Sequence, residues 1–272
     1  MSEPTRSKGS PLASAHSPFN FHSTSARIRV PSGTFIKKRL RQPHCCVRKP
    51  PRDGTKKEIL NTLLVDGNAL FKTGFFGASS EFNRNGTHVG GIYQFITVLR
   101  KLLSENLYHQ VYVFWDGTFS GKLRYNIYPA YKSDRGKDFI NGTHPVDESE
   151  VNQKLRISKY LEELFIRQIK DEIVESDDYI AYYCKTKKAH EAVTICKNDR
   201  DLAQLIKRGI RIYFCDPQIK NYVTLQNFND YFKYHLENAA LVKSLIGDNS
   251  DSIRGIKGLG EPTLLKHFPE LS

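Results

Sequence analysis

Acidic residues that could share metal ions recur at the ends of apolar segments along this sequence. A single acid after a strand is ordinary turn chemistry, because its oxygens accept nearby backbone hydrogen bonds. Five acidic clusters in equivalent places are harder to explain as turns, and they predict one shared site. The residues concerned are Asp66, Asp116, Glu175, Asp177, Asp178, Asp199, Asp201, Asp248 and Asp251.

Carboxylates without histidine or cysteine are ligands for hard cations. Such a set suits Mg²⁺ or Mn²⁺ and not zinc. Closely spaced carboxylates repel one another, and bound cations offset that repulsion. Two ions about 4 Å apart can activate a water, clamp a phosphate and stabilise the leaving oxygen. Glu175 and Asp178 are three positions apart at a predicted helix start, so both could face the ions.

A basic and aromatic segment, GTFSGKLRYNIYPAYKSDRGK, follows Asp116. Its cations and tyrosines alternate, which fits either a solvated loop or a phosphate clamp with stacking platforms for an unpaired base. The candidate contact residues for nucleic acid in this segment are Lys122, Arg124, Tyr131, Lys132 and Arg135.

A second candidate phosphate-binding segment is the glycine-rich run SIRGIKGLG, which follows G-D-x-x-D. A glycine-rich run alone is usually a loop. Gly255, Gly258 and Gly260 would permit close backbone approach to a phosphate, which the N–H groups of the next helix start could hold.

The elements that must position these residues alternate between strand and helix. Apolar runs predict strands at 59–65, 110–115, 173–174, 192–196 and 210–215. Helical spacing predicts helices at 90–106, 154–170, 200–207 and 236–246, and a further helix from the acids at 175–178 to about 187. This order is typical of a mostly parallel α/β sheet with helices on both faces. In such sheets ligands bind beyond the carboxyl ends of the strands, where the acids are expected.

The basic excess of the chain is concentrated near its N-terminus. The formal net charge is +12, and residues 1–57 carry 13 of the 41 Lys and Arg residues but only Glu3 and Asp53 of the 29 acids. We expect residues 1–57 to be a disordered, solvated basic extension. The alternative is that they form an auxiliary DNA-binding arm. An α/β core is expected at 58–235 and a smaller C-terminal element at 236–272.

The cysteines show no metal-binding spacing. Cys184, Cys196 and Cys215 lie in apolar stretches and are expected to be buried thiols in a reducing, intracellular compartment. No apolar run of about 18 residues or more occurs, so no membrane span is expected. The Ser- and Arg-rich N-terminus loosely resembles an organellar transit peptide, but its prolines argue against an amphipathic helix, so targeting stays open.

Six motifs carry a resemblance to a known family. The segments LLVDGN, FWDGT, YPAYKSDR, VESDD, NDRDLAQL and GDNSDSIRGIKGLG occur in order between about Leu60 and Phe268. Together they resemble the 5′-nuclease family, which includes phage 5′→3′ exonucleases, the 5′-nuclease domain of bacterial DNA polymerase I and flap endonucleases. Each motif alone is weak, but the ordered set is specific.

The resemblance implies a PIN-like core with an arch or clamp at about 120–160 and a C-terminal helix-three-turn-helix element that binds duplex and often holds K⁺. It implies a role for each candidate residue: Lys132 and Arg135 would contact the scissile phosphate, Tyr131 would stack on a terminal base, and Asp177 would lie closest to both ions. By the same resemblance, the first metal site would comprise Asp66, Asp116, Glu175, Asp177 and Asp178, and the second Asp199, Asp201, Asp248 and Asp251.

Three features depart from the family pattern. The positive charge common near Glu261 or Pro262 is missing, and Asn198 stands where Gly, Ser or Thr is usual before the D-x-D pair. The sequence also stops at Ser272, where family members continue with further helices, so we expect a shortened duplex-binding element.

The expected activity is hydrolysis of DNA, or of RNA in RNA–DNA hybrids, at 5′ ends, flaps or nicks by a monomer with two Mg²⁺ or Mn²⁺ ions. One alternative is a PIN-type ribonuclease, which shares the acidic core but usually lacks the G-D-x-x-D glycine-rich element. The other is a protein that binds branched DNA without cutting it. The complete set of acids favours an active enzyme.

Overall fold

The described part of the chain is built around one six-stranded sheet. A computed structural model describes residues 59–77, 85–136, 147–197, 199–215 and 221–272, all within the compact unit Val47–Ser272. The expectations for residues 1–57 and for much of the arch at 137–146 lie outside these ranges. The strands are β1 (Leu60–Asp66), β2 (Gln110–Asp116), β3 (Arg167–Asp171), β4 (Glu191–Cys196), β5 (Ile210–Tyr213), β6 (Tyr222–Val223), β7 (Gly247–Asp248) and β8 (Ile253–Arg254).

Eight α-helices and several 3₁₀ turns connect and cover the strands within the described ranges. The helices are α1 (Gly67–Gly77), α2 (Gly90–Glu105), α3 (Lys122–Ile127), α4 (Glu148–Glu163), α5 (Ser176–Thr186), α6 (Phe228–Tyr231), α7 (Ala239–Ile246) and α8 (Glu261–His267). The 3₁₀ turns are Ser133–Arg135, Arg200–Leu205, Leu236–Asn238, Asn249–Asp251 and Pro269–Leu271.

The main sheet has the strand order β3-β2-β1-β4-β5-β6. Its first five strands are parallel to their neighbours, and β6 pairs antiparallel with β5. The carboxyl ends of β1, β2, β3 and β4 therefore meet at one edge. This arrangement confirms the predicted α/β class with a mostly parallel sheet.

Both faces of the sheet are buried, because successive side chains of a strand point to opposite sides. On one side, Leu63 and Val65 pack with residues of α1, α2 and α4. On the other, Leu64 packs against α5, α7 and α8. Each fully buried Leu or Val side chain contributes about 1.5–3 kcal/mol relative to exposure. The apolar segment of β1 thus lies between two layers of helices.

Two glycines permit the close packing of α1 on α2. A Cβ at Gly74 would lie 2.3 Å from the Gln94 Cβ, and one at Gly91 would lie 2.3 Å from the Phe71 ring. Larger residues at either position would push the helices apart.

The structure corrects the prediction for 154–174. The helix begins earlier, at Glu148, where Asp147 caps it by accepting hydrogen bonds from the N–H groups of Ser149 (2.8 Å) and Glu150 (3.1 Å). It ends at Glu163, before Phe165, whose left-handed φ of 56° reverses the chain. The strand is Arg167–Asp171, so the predicted strand at 173–174 is wrong.

The reason for that error is a turn made by a side chain. Asp171 Oδ1 accepts hydrogen bonds from the backbone N–H groups of Ile173 and Val174, each at 2.8 Å. These bonds draw the apolar pair out of the sheet. Elsewhere the predicted helix at 200–207 is the 3₁₀ turn Arg200–Leu205, and the predicted helix at 236–246 divides into a 3₁₀ turn and α7.

The C-terminal segment packs on the same core as the sheet. Val242 of α7, Leu264 of α8 and Leu271 belong to the cluster that contains Ile195 and Ile212. Between the two helices lie the hairpin β7–β8 and the glycine-rich run, and the predicted helix-three-turn-helix element stays a prediction. Among the described helices, none combines the length and apolar content needed to cross a membrane.

A buried hydrogen-bond cluster joins α5 to the sheet. Glu191 accepts hydrogen bonds from Thr62 Oγ1 at 2.6 Å and from the Tyr183 hydroxyl. Burial alone would raise the pKa of Glu191, but these bonds hold it below its ordinary value of 4.5. Their contribution to stability is therefore present above that pH and is lost as the pH falls through the lowered pKa.

We predict that Tyr183→Phe lowers the free energy of unfolding at pH 7 by about 1.5 kcal/mol, as for a lost hydrogen bond to a charged group. Urea unfolding at several pH values measures this, and the difference from wild type should shrink below pH 4.5. Tyr182→Phe, at an exposed neighbour, is the control. A difference that is the same at pH 3 and pH 7 would contradict this account.

Candidate active site at the carboxyl edge of the sheet

The ends of β1 and β2 fix the first two acids. Asp66 is the last residue of β1, and its Oδ1 accepts a hydrogen bond from the Ala69 N–H at 2.9 Å. Asp116 is the last residue of β2, and its Oδ1 accepts one from the Ser176 N–H at 2.8 Å. Both carboxylates are therefore held at helix N-termini, where a negative charge is favoured.

Glu175, immediately before α5, lies at the centre of a charged cluster. Its side chain is buried and contacts Arg124 Nη1 at 2.5 Å, Lys132 Nζ at 2.5 Å and the Tyr131 hydroxyl at 3.0 Å. The guanidinium of Arg124 also forms a two-bond pair with Asp178, each bond 2.8 Å. The segment after β2 is thus tied to the start of α5 by ion pairs.

A third set of acids surrounds Lys197, the residue directly after β4. Its ammonium lies 3.1 Å from Asp66 Oδ2 and 3.8 Å from Asp199 Oδ2, and it also contacts Asp177 Oδ1. We call Lys197 and these three carboxylates the Lys197 cluster. The Lys197 side chain is only 5% exposed, so the cluster lies below the surface.

The remaining acids meet two further cations. Lys243 of α7 lies 2.9 Å from Asp201 and 3.0 Å from Asp248. Asp251 lies 3.0 Å from Arg135 and 3.8 Å from Lys132. Because Lys132 also contacts Glu175, these ion pairs connect the C-terminal element to the charged cluster around Glu175.

Eight of the nine predicted acids thus pair with one of five cations at this edge. The ninth, Asp116, is tied to α5, and the charge of Lys132 acts on it. Within the described ranges, no group of three or more His, Cys, Asp or Glu side chains is arranged so that it could hold a metal ion. Lysine and arginine groups lie among the carboxylates instead. The oxygen-only donor set nevertheless has the chemistry that Mg²⁺ and Mn²⁺ require.

Burial and neighbouring charges shift the pKa values of several of these acids. Burial raises the pKa of Asp177, and the carboxylates of Asp66 and Asp199 raise it further against the charge of Lys197. Burial and Asp199 likewise raise the pKa of Asp201 against the pull of Lys243. Burial would raise the pKa of Asp116 too, but hydrogen bonds from Ser176 and Asn68 and the charge of Lys132 lower it. Burial and neighbouring acids thus act against the ionised forms of Asp177 and Asp201, whereas hydrogen bonds favour the ionised form of Asp116.

A cavity of about 610 Å³ opens beside Asp116 and Glu175. Lys132 and Arg135 lie on its wall, together with Lys72 and Lys154 from α1 and α4. Burial and the neighbouring Lys154 lower the pKa of Lys72, so cations are crowded here. A cavity lined by both carboxylates and cations can accept a phosphate group and a metal ion together.

The predicted contact residues in the basic segment have different environments. Lys132 and Arg135 border the cavity, as their predicted roles require. Arg124 is engaged with Glu175 and Asp178, and the ammonium of Lys122 lies 5.4 Å from the centre of the Phe119 ring.

The prediction that Tyr131 stacks on a terminal base is wrong for this structure, because the residue is only 3% exposed. Its hydroxyl binds Glu175, so the side chain supports an acid instead of offering a ring face. Tyr128, 41% exposed nearby, is the tyrosine of this segment with an accessible ring.

The three glycines of the C-terminal run have different structural environments. A Cβ at Gly255 would lie 2.2 Å from the Ile246 backbone, so this glycine permits the hairpin to close on α7. Gly258 has a left-handed φ of 80° with open space around it, and Gly260 precedes α8. Phosphate binding here stays a prediction.

Two cations of the site, Lys197 and Lys243, were not predicted from the sequence. The position of Lys197 directly between a buried strand and the D-x-D pair was a usable signal. Lys243 had none, because only folding brings α7 to the acids.

Comparison with known protein families identifies the family of this chain. Residues 61–233 match the family described as 5′-3′ exonuclease, N-terminal resolvase-like domain. That is well over half of the chain, and the chain belongs to this family. The resemblance seen in the motifs is thereby confirmed, and with it the prediction of a 5′→3′ nuclease.

Several named proteins are similar in sequence to this chain over most of its length. A 5′-3′ exonuclease of Mycoplasmopsis pulmonis is 27% identical over 223 residues, covering 81% of this chain and 70% of that protein. A 5′-3′ exonuclease of Halalkalibacterium halodurans is 29% identical, covering 75% and 67%. The thermostable DNA polymerase I of Thermus thermophilus is 29% identical over 76% of this chain, but the match spans only 24% of the polymerase.

Solved structures share the fold. The T5 5′-exonuclease with bound zinc superposes with a TM-score of 0.55 at 21% identity, covering 76% of this chain and 75% of that one. A bacteriophage T5 flap endonuclease solved with DNA and metal ions gives 0.54 at 19% identity, with the same coverage. A protein of this fold thus binds divalent metal ions.

We predict that Glu175→Gln lowers the free energy of unfolding in metal-free buffer by roughly 2–4 kcal/mol, because it leaves Arg124 and Lys132 without their shared carboxylate. The lower half of that range applies if water screens Arg124, which is 39% exposed. Denaturant unfolding with EDTA measures the change. Glu163→Gln, at an exposed position on α4, is the matched control, and equal stability of the two variants would refute the role given to Glu175.

Proposed function

We propose that this chain is a divalent-metal-dependent nuclease that hydrolyses phosphodiester bonds of DNA at 5′ ends, flaps or nicks. The observation that carries the proposal is the gathering of acids from five chain segments at one sheet edge, beside a cavity that also presents Lys132 and Arg135. The relatives named 5′-3′ exonuclease support the same activity.

Two sets of carboxylates would hold the ions. Glu175, Asp177 and Asp178 would do so together with the strand-end acids Asp66 and Asp116, and the second set is Asp199, Asp201, Asp248 and Asp251. When bound, Mg²⁺ or Mn²⁺ supplies a nucleophilic water and stabilises the leaving oxygen. Incoming ions would compete with the cations described above for these carboxylates.

The chain's own contribution is to position and neutralise the phosphate. Lys132, held between Glu175 and Asp251, and Arg135, which also donates to the Ser250 carbonyl, present positive charge at the cavity wall. Positive groups fixed before the reaction stabilise the charge that develops on the phosphate, because they need no rearrangement. Lys132 is therefore the residue that connects the acids to the substrate.

Several finer points belong to the proposal. An RNA–DNA hybrid substrate, a K⁺ ion at the glycine-rich run and a monomeric enzyme stay predictions. A reducing compartment is also proposed, supported by three buried cysteines without disulfides, Cys184, Cys196 and Cys215.

The direct test compares a 5′-flap DNA, a nicked duplex, a blunt duplex and single-stranded RNA, each with Mg²⁺ or EDTA. Mg²⁺-dependent release of 5′-phosphorylated products from flap or nicked DNA supports the proposal. Cleavage of the RNA alone would favour a PIN-type ribonuclease, and tight DNA binding without any cleavage would favour a binding protein.

We predict that Asp177→Asn reduces cleavage more than about 100-fold, since even residues around metal ligands commonly cost 10- to 100-fold. Flap-DNA affinity, measured in Ca²⁺ by fluorescence anisotropy, should stay within a few-fold of wild type. Asp230→Asn, at an exposed position on α6, is the control. Cleavage by Asp177→Asn at the wild-type rate would show that the site is assigned wrongly.

We also predict that removing residues 1–57 preserves cleavage and weakens DNA binding mainly at low salt, because exposed charges are screened as salt rises. The slope of log affinity against log salt should become shallower, by about one unit for each lost phosphate contact. An unchanged slope would exclude a DNA-binding role for the extension.

A further inference from the structure

The Lys197 cluster places a positive charge inside the predicted metal site. The ammonium contacts three carboxylates, of Asp66, Asp177 and Asp199, two of which are assigned to the first set of ligands and one to the second. It therefore lies between the two sets. Each of its three contacts is with a carboxylate that the proposed function assigns to a divalent ion.

The backbone and burial fix this arrangement. Lys197 directly follows β4, and its N–H donates to the Tyr213 carbonyl of β5 at 3.2 Å, so its Cα is held by the sheet. The side chain is 5% exposed and that of Asp66 is 4% exposed. A lysine this enclosed is poorly placed to reach a phosphate in the cavity, where Lys132 and Arg135 already lie.

The other lysines at this edge differ in accessibility. Lys243 lies between Asp201 and Asp248 but is 37% exposed, so it can turn to solvent when an ion arrives. Lys197 has little room to do the same. A buried ammonium is stable only when carboxylates compensate it, and here three do.

We propose that the ammonium of Lys197 takes the place of one divalent ion, so that the free protein binds one ion fewer than its set of acids would otherwise hold. The inference rests on the divalent-metal use proposed above. Lys197 is on this account a positioning residue: it holds the carboxylates of its cluster together and sets how many ions, and how tightly, the site takes up.

Lys197→Met tests the proposal, because methionine matches the unbranched aliphatic part of lysine and removes its ammonium group. Titration of the free protein with Mn²⁺, followed by the EPR signal of unbound Mn²⁺, counts the ions without substrate. We expect the variant to bind one more Mn²⁺ per chain than wild type, or the same number about 10- to 100-fold more tightly, the range found when groups around metal ligands are changed.

Two further variants control the experiment. Lys197→Arg keeps the charge and should show no gain in Mn²⁺ binding. Lys101→Met removes one positive charge from α2, where Lys101 pairs with Glu105, and should also show no gain. A gain in all three variants would trace the effect to packing or net charge and would overturn the proposal, as would no gain in Lys197→Met.

Thermal unfolding separates this role from a merely structural one. Lys197→Met should be destabilised in EDTA and recover in Mn²⁺, because the ion replaces the ammonium among the carboxylates. A variant that stays unfolded or equally destabilised in Mn²⁺ would contradict the proposal. These readouts need no DNA, so a gain in Mn²⁺ binding by a protein that cuts no DNA would support this inference and refute the nuclease proposal.

Discussion

The repulsion among carboxylates at one edge of the sheet is the constraint on which the rest of the structure depends. Two unit charges 4 Å apart interact by about 4 kcal/mol at the effective dielectric of a protein surface. Parallel strands bring their carboxyl ends to this edge, so the acids cannot avoid one another. They are tolerated only because cations lie among them, and five lysine and arginine groups do so here.

These cations connect segments that are distant in the sequence. Arg124 joins the segment after β2 to the start of α5. Lys132 and Arg135 join it to Asp251 beside the hairpin, and Lys243 joins α7 to Asp201 after β4. The same charge balance that makes the site suitable for divalent ions thus also fixes the basic segment and the C-terminal element around it. The metal binding proposed here would therefore be coupled to local order.

Much of the fold followed from apolar periodicity, and the failures have identifiable causes. The central strands β1, β2 and β4 and helix α2 were predictable because each is a largely apolar run or stripe. The strand β3 reads RQIKD, which is too polar to stand out, whereas the apolar pair Ile173 and Val174 is drawn away by the Asp171 side chain.

Asp66, Asp116 and Asp199 could be predicted because they lie at or just after the ends of β1, β2 and β4. The partners of those acids could not, since they depend on side-chain paths fixed only after folding. Tyr131 illustrates the difference: its place in the motif indicated an exposed ring, but its hydroxyl satisfies the buried Glu175. Lys197 illustrates it again, because a lysine in a loop is ordinarily solvated, and only its burial shows that it belongs to the site.

The most direct measurement of the central claim is anomalous X-ray scattering from crystals of the protein grown with Mn²⁺. Our account predicts Mn²⁺ peaks at the carboxyl edge of the sheet, bounded by Glu175, Asp177 and Asp248. Crystals that bind no Mn²⁺ there, or that bind it only at unrelated surface acids, would contradict it.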